Sequence, residues 1–312
     1  MGITEMGCEK SDFGNCDPET VDNDDPYCLF HKPDKSDEEV REFYEKLKAS
    51  AEVEEKTVSN SVGQTRTVRR LVFRSSIDWR DYVFPKQAPD MFFEHVVFAE
   101  NSDLTGANFK GNSNFRDADF KKESDLRGIS FQGNSDFRDA NFEENIYFRN
   151  ADFGGDSKFK YADFEKTADF SSASFGGNSN FSRADFSGSS YFTRADFEQG
   201  SDFTGSGFRG SSSFRDADFW SDSNFKDADF EQGSDFRRAN FRGNSNFRSV
   251  IFGGDTYFRN VEFGGGTYFS RAKFEGSSNF RGAYFGENSE FRDVDFGGDS
   301  TFDTTIFQRV AD

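Results

Sequence analysis

Apolar residues are in short supply in this chain. Only 34% of its 312 residues are hydrophobic, leucine and isoleucine are scarce, and the mean hydropathy is -0.82. No stretch approaches the ~18 apolar residues of a membrane-spanning helix. The N-terminus, MGITEMGCEKSDFGNCD, has neither the charged nor the apolar region of a secretory signal. A soluble, cytoplasmic chain with no membrane partner is expected. Histidine is scarcer still, with His31 and His95 the only two. The many serines therefore lack a base for nucleophilic catalysis.

Low hydropathy and a net charge of -19 would, alone, describe a disordered acidic polymer. The 44 phenylalanines contradict that. Disordered chains are poor in aromatics, so this much Phe means apolar mass concentrated into a core while most other residues face water.

The phenylalanines are periodic. From Phe109, steps of eleven residues reach Phe120, Phe131 and onward to Phe307, with Phe at all 19 positions. A second series runs from Phe115 to Phe302, broken only by Leu126. Spacing thus alternates five and six, and Phe93, Phe98 and Leu104 carry the pattern backwards. An eleven-residue period can mark a right-handed coiled coil. Steps of five and six, however, scatter residues around a helix, and the unit is rich in Gly, Ser, Asp and Asn. Short strands separated by turns fit instead, each with one inward Phe and a small inward residue two positions before it. Ala118, Ala140, Ala151 and Ala162 stand there in one series, Ser113, Ser135, Ser157 and Ser179 in the other. Glycines such as Gly111, Gly133, Gly155, Gly177 and Gly188 recur in the six-residue step, where a corner with positive φ is expected.

The unit reads A-[D/N]-F-x-G-x-S-x-F-R-x. ADFGG at 151–155, ADFSG at 184–188 and ANFRG at 239–243 resemble the pentapeptide-repeat family over about two thirds of the chain. The resemblance implies an all-β fold, a right-handed quadrilateral parallel β-helix, here with about 22 residues per coil because every second unit carries one extra residue. Nine such coils between Phe109 and Phe307 would span roughly 43 Å at strand spacing.

The residues before the repeat differ in kind. We divide the chain into a zinc knuckle at 1–35, a short helix and linker at 36–60, a basic connector or N-terminal cap at 61–92, and the β-helix at 93–312. All three cysteines, Cys8, Cys16 and Cys28, lie close to His31 in a C-x7-C-x11-C-x2-H pattern. Three thiolates and an imidazole can close a structural Zn2+ site, which would order a piece too small for its own core. Free thiols, or a Cys8–Cys16 disulfide disfavoured in a reducing compartment, are the alternatives. Ser36 and Glu39 form a capping box, and Val40, Phe43, Tyr44 and Leu47 make one apolar stripe. Residues 61–92 reverse the local charge, as a cap on the first coil more readily than as a nucleic-acid site.

Catalytic lookalikes dissolve into the repeat. Gly205, Gly207 and Gly210 spell G-x-G-x-x-G with no helix after them. Asp117 and Asp119 belong to a recurring RDADF, and His95 reads as a turn residue rather than a base. The expectation is a non-enzyme: a rigid scaffold for an unknown protein partner. The alternative is a DNA mimic acting on a type II topoisomerase, as some members of the resembled family do. Arg116, Arg127, Arg138 and their repeats interleave with the Asp column and argue against mimicry and direct nucleic-acid binding. Solubility at high salt accounts for the acidity. A homodimer through the C-terminal coil, using Ile306 and Val310, is expected.

Overall fold

The computed structural model describes residues 16, 27–59, 64–87, 92–286 and 288–308. The alternating step becomes a parallel β-solenoid of about ten turns. Each five- or six-residue step contributes one two-residue strand and one corner, so four steps close a coil. Strands pair with those 22 residues on, as Asp163–Phe164 with Asp185–Phe186, which stacks four sheets into four faces. Face 1 carries Asp119–Phe120 and its repeats, face 2 Ser124–Asp125, face 3 Ser130–Phe131 and face 4 Ser135–Asp136.

The four Phe columns fill the interior. Phe175 stacks on Phe197 at 4.7 Å and 2°, and Phe181 on Phe203 at 5.0 Å and 2°. Around one coil the rings meet edge to face, Phe192 against Phe203 at 5.5 Å and 86°. Both geometries suit the aromatic quadrupole. The small residues two positions before each Phe are buried, among them Ala184, Ala195, Ser179 and Ser201. Each buried ring contributes roughly 2–3 kcal/mol, and its neighbours above and below are needed to bury it.

The corners correct the expectation for glycine. Positive φ falls in the five-residue step, two residues after the second-series Phe, as at Asp117, Asp139, Asn150, Arg183 and Gly205, with Asn288 an exception in a six-residue step. Glycines of the six-residue step sit where adjacent coils approach closely. A Cβ on Gly188 would lie 2.3 Å from Lys166 C, and one on Gly177 2.5 Å from Asp156 N. Beside them a polar ladder satisfies the backbone of the extra residue: Asn134 Oδ1 accepts from Asp156 N at 2.9 Å, and Asp156 Oδ1 from Asn178 N at 2.9 Å.

The N-terminal boundaries also differ from expectation. Helix α1, Asp37–Ala49, starts at the capping box and buries Phe43, Tyr44 and Leu47. Where a linker was expected, strand β1, Glu52–Ser59, pairs antiparallel with β2, Thr65–Phe73. The end of β2 pairs with Val97–Phe98, and Ile77–Asp78 and Val83–Phe84 pair with later coils, so the solenoid begins before residue 93. An alternating strand such as β2 has no Phe at the repeat interval, which hid it. The basic side chains here are used internally: Arg70 pairs with Glu54 at 2.9 Å and Arg80 with Asp78 at 2.5 Å. Phe43 of α1 meets Phe84 edge-on at 5.3 Å, and Phe84 stacks on Phe109 at 4.0 Å, so the helix covers the start of the columns.

The close approach of coils predicts unequal costs for adding one methyl group. Gly188→Ala should destabilise by about 1–3 kcal/mol, because backbone must move. At Gly207 a Cβ meets nothing nearer than Asp185 Oδ1 at 3.7 Å, and Gly207→Ala should stay within about 0.5 kcal/mol. Denaturant unfolding of both variants checks this, and equal losses contradict the coil packing.

Candidate functional site

Three places on the molecule carry chemistry beyond packing. The first is the N-terminal cluster. Ligand atoms of Cys16, Cys28 and His31 all lie within 4.8 Å of one another. Cys28 and His31 are buried, with Cys28 Sγ 3.1 Å from His31 Nδ1. The other ring nitrogen, Nε2, lies 3.2 Å from the Arg80 carbonyl oxygen. That contact calls for a proton on Nε2 and leaves Nδ1 bare toward the thiol, the arrangement of a metal-binding imidazole. Two sulfurs and one nitrogen suit zinc, so the described residues fit the expected ion. Cys8, the fourth expected ligand, lies outside the described residues.

The second place is the charge on the faces. On faces 2 and 4 three strand Asp side chains pair with the Arg two residues on, Asp125 with Arg127 and Asp136 with Arg138 at 2.5 Å each, and Asp235 with Arg237 at 2.6 Å, while Asp169 pairs with Arg149 at 2.6 Å. Burial alone would raise the Asp136 carboxyl. Hydrogen bonds from Arg138 and its charge outweigh that and hold it below the usual range. On face 1 the acids have fewer partners. Burial, then Asp185 and Glu165, push the Asp163 carboxyl up; burial, Glu231 and Glu275 do the same at Asp229. Face 3 differs again, with Trp220 exposed and its ring 3.6 Å from the Arg242 guanidinium carbon.

The third place is the N-terminal coil. His95 takes φ 60 and is the turn residue that its position suggested, but it is buried beside Glu94 and Asp117. Reading along the chain missed this cluster. The coil length could have found it, because 22 residues separate His95 from Asp117. The glycine triplet resolves into unrelated roles: Gly205 turns with φ 63, Gly207 lies in a strand, and Gly210 packs against Gly188. Asp119 faces Arg70 at 3.7 Å and Lys56 at 3.8 Å. No helix among the described residues is long and apolar enough to cross a membrane.

A four-faced parallel solenoid with a stacked aromatic core defines a class of elongated repeat proteins built to present surface. The description Pentapeptide repeats (9 copies) matches in overlapping segments from residue 93 to residue 306, and the chain belongs to this family. No curated protein and no solved structure matches it.

The donor set predicts one zinc per chain held by this cluster, read by elemental analysis of purified protein as the difference between wild type and its cysteine variants. Cys28→Ser should lower that content to the level of Cys16→Ser. Metal-free wild-type protein would return these side chains to ordinary thiols.

Proposed function

We propose that this protein is a non-enzymatic interaction scaffold that binds a protein partner on face 3, with a zinc-ordered segment closing its N-terminal end. The observation that carries the reading is the pair Trp220 and Arg242. Trp220 is 49% exposed, with Arg242 3.6 Å over its ring and 3.8 Å from Asp218. The same outward column holds Gly264 and Gly286 above the pair, and Glu198 directly below it with Gly176 and Gly154 beyond. The flat strip above therefore leaves an aromatic and a guanidinium standing proud, the residue types that dominate binding energy at protein interfaces. A solenoid interior held in one register lets such outward residues vary without disturbing the core.

A second copy is the proposed partner for the C-terminal coil. Ile306 is 58% and Phe307 50% exposed there, beside strands that are the last of their sheets among the described residues. Val310 lies outside the described residues.

One observation favours the DNA-mimic alternative, namely the acids of face 1: Glu143, Asp163, Glu165, Asp185, Asp229, Glu231 and Glu275. Arg209 interrupts them, 2.5 Å from Asp185 and 3.9 Å from Glu231, where a phosphate mimic needs one sign of charge. The scaffold reading is therefore preferred.

Capture from native extract separates the readings. Trp220→Ala should lose the retained protein at least about tenfold, the scale of an interface hot spot, with unchanged melting. Light scattering should give a dimer that Ile306→Lys dissociates. Retention of the same partner by Trp220→Ala contradicts the face 3 assignment, and stoichiometric inhibition of DNA supercoiling would favour mimicry.

A further inference from the structure

The imidazole of His95 occupies an unusual place. At the equivalent corner of the following coils stand Asp117, Asp139, Tyr161 and Arg183, all with positive φ. His95 is 4% exposed and Glu94 7%. Neither ring nitrogen of His95 has a hydrogen-bond partner. Each instead faces a carboxylate at a distance too long for a hydrogen bond: Nδ1 lies 3.5 Å from Asp117 Oδ2, and Nε2 3.7 Å from Glu94 Oε1.

A neutral imidazole has one N–H. Whichever nitrogen carries it, the other presents a bare lone pair to a carboxylate, and two acceptors oppose each other. A metal ion, a second proton or a water donating to both groups relieves that opposition. On the Asp117 side there is room for a metal ion, because a cavity of about 400 Å³ is lined by Val58, Gln64, Thr65, Arg66, His95, Arg116 and Asp117.

We propose that His95 and Asp117 bind a divalent metal ion of the zinc class at the edge of this cavity, with Glu94 orienting the imidazole from behind. Nδ1 and a carboxylate oxygen of Asp117 are the protein ligands, and water from the cavity fills the open positions. In a tetrahedral zinc site with bonds of about 2.0–2.1 Å, neighbouring ligand atoms lie about 3.3 Å apart. The 3.5 Å between Nδ1 and Asp117 Oδ2 is close to that edge. On the far side a small closure lets Nε2–H donate to Glu94, giving the carboxylate–histidine–metal order that fixes tautomer and ring plane.

The surrounding charges are mixed. Burial, with Arg66 and Lys56 nearby, lowers the proton affinity of His95 against the pull of Asp117 and Glu94, keeping the ring in its neutral, metal-binding form. Arg116 Nε lies 3.4 Å from Asp117 Oδ2 and 3.8 Å from Asp139 Oδ2. An arriving ion displaces Arg116 from the first carboxylate toward the second. The site uses no residue of the Cys16, Cys28 and His31 cluster and does not depend on the scaffold reading.

The test follows the two histidines by NMR in full-length, 15N-histidine-labelled Cys28→Ser protein, with Zn2+ as the probe. His95→Asn assigns the signals and suits the left-handed turn, which Asn tolerates. The His95 Nδ1 resonance should shift and saturate near one equivalent of Zn2+. Asp117→Asn, whose melting should match the parent, should weaken that response at least about tenfold. Glu94→Gln should weaken it less and scramble the tautomer. A His95 signal that ignores Zn2+ while titrating with pH overturns the proposal, leaving a proton as the relieving cation. An identical Zn2+ response in Asp117→Asn overturns it equally.

Discussion

One coincidence of lengths governs this molecule: the spacing between neighbouring β-strands is also a favourable stacking distance for phenyl rings. A Phe repeated at the same point of every coil therefore meets its copy above and below without adjustment, as Phe186 meets Phe208 at 4.9 Å and 1°. Four such columns supply nearly the whole apolar core. The outward residues are thereby released from packing and can be acidic, basic or aromatic.

Tight stacking imposes its own demands on the corners. Coils separated by one strand spacing leave no room for a Cβ at Gly188, Gly210 or Gly254. The extra residue of the long step needs a partner for its N–H, which Asn134, Asp156 and Asp222 supply to the following coil. Left-handed turns at Asp139, Arg183 and Arg194 show that the corner tolerates several side chains when tertiary contacts fix it. At the N-terminal end the same columns are closed by Phe73, Trp79 and Phe84 under α1, with Phe30 stacked on Tyr82 at 4.6 Å. The two metal candidates both lie in this irregular region, where side chains escape the repeat.

The repeat was legible because Phe at fixed steps encodes both the strand and its inward face. Helix α1 was legible from Ser36, Glu39 and the stripe of Phe43, Tyr44 and Leu47, all local signals. What escaped was long-range. The hairpin of β1 and β2 rests on pairing with Val97–Phe98, which no local pattern announces. The role of Gly177 depends on Asp156, a coil away, and so differs from the role that turn propensity suggests. Cys28 and His31 stood out by spacing. The partner of His31 Nε2, the Arg80 carbonyl, lies 49 residues on and becomes visible only in the fold.

The central claim is that a whole coil, with its alternation of five and six, is the unit of this structure. Deleting residues 170–191 removes one coil and joins Asp169 to Phe192, restoring the register. Deleting residues 170–185 joins Asp169 to Phe186 and places a six-residue step where a five-residue one belongs. Denaturant unfolding followed by circular dichroism should show the first variant folded and cooperative, with a midpoint close to wild type. The second should lose cooperativity or several kcal/mol of stability, on the scale of breaking several core contacts. Equal behaviour of the two deletions would contradict the account.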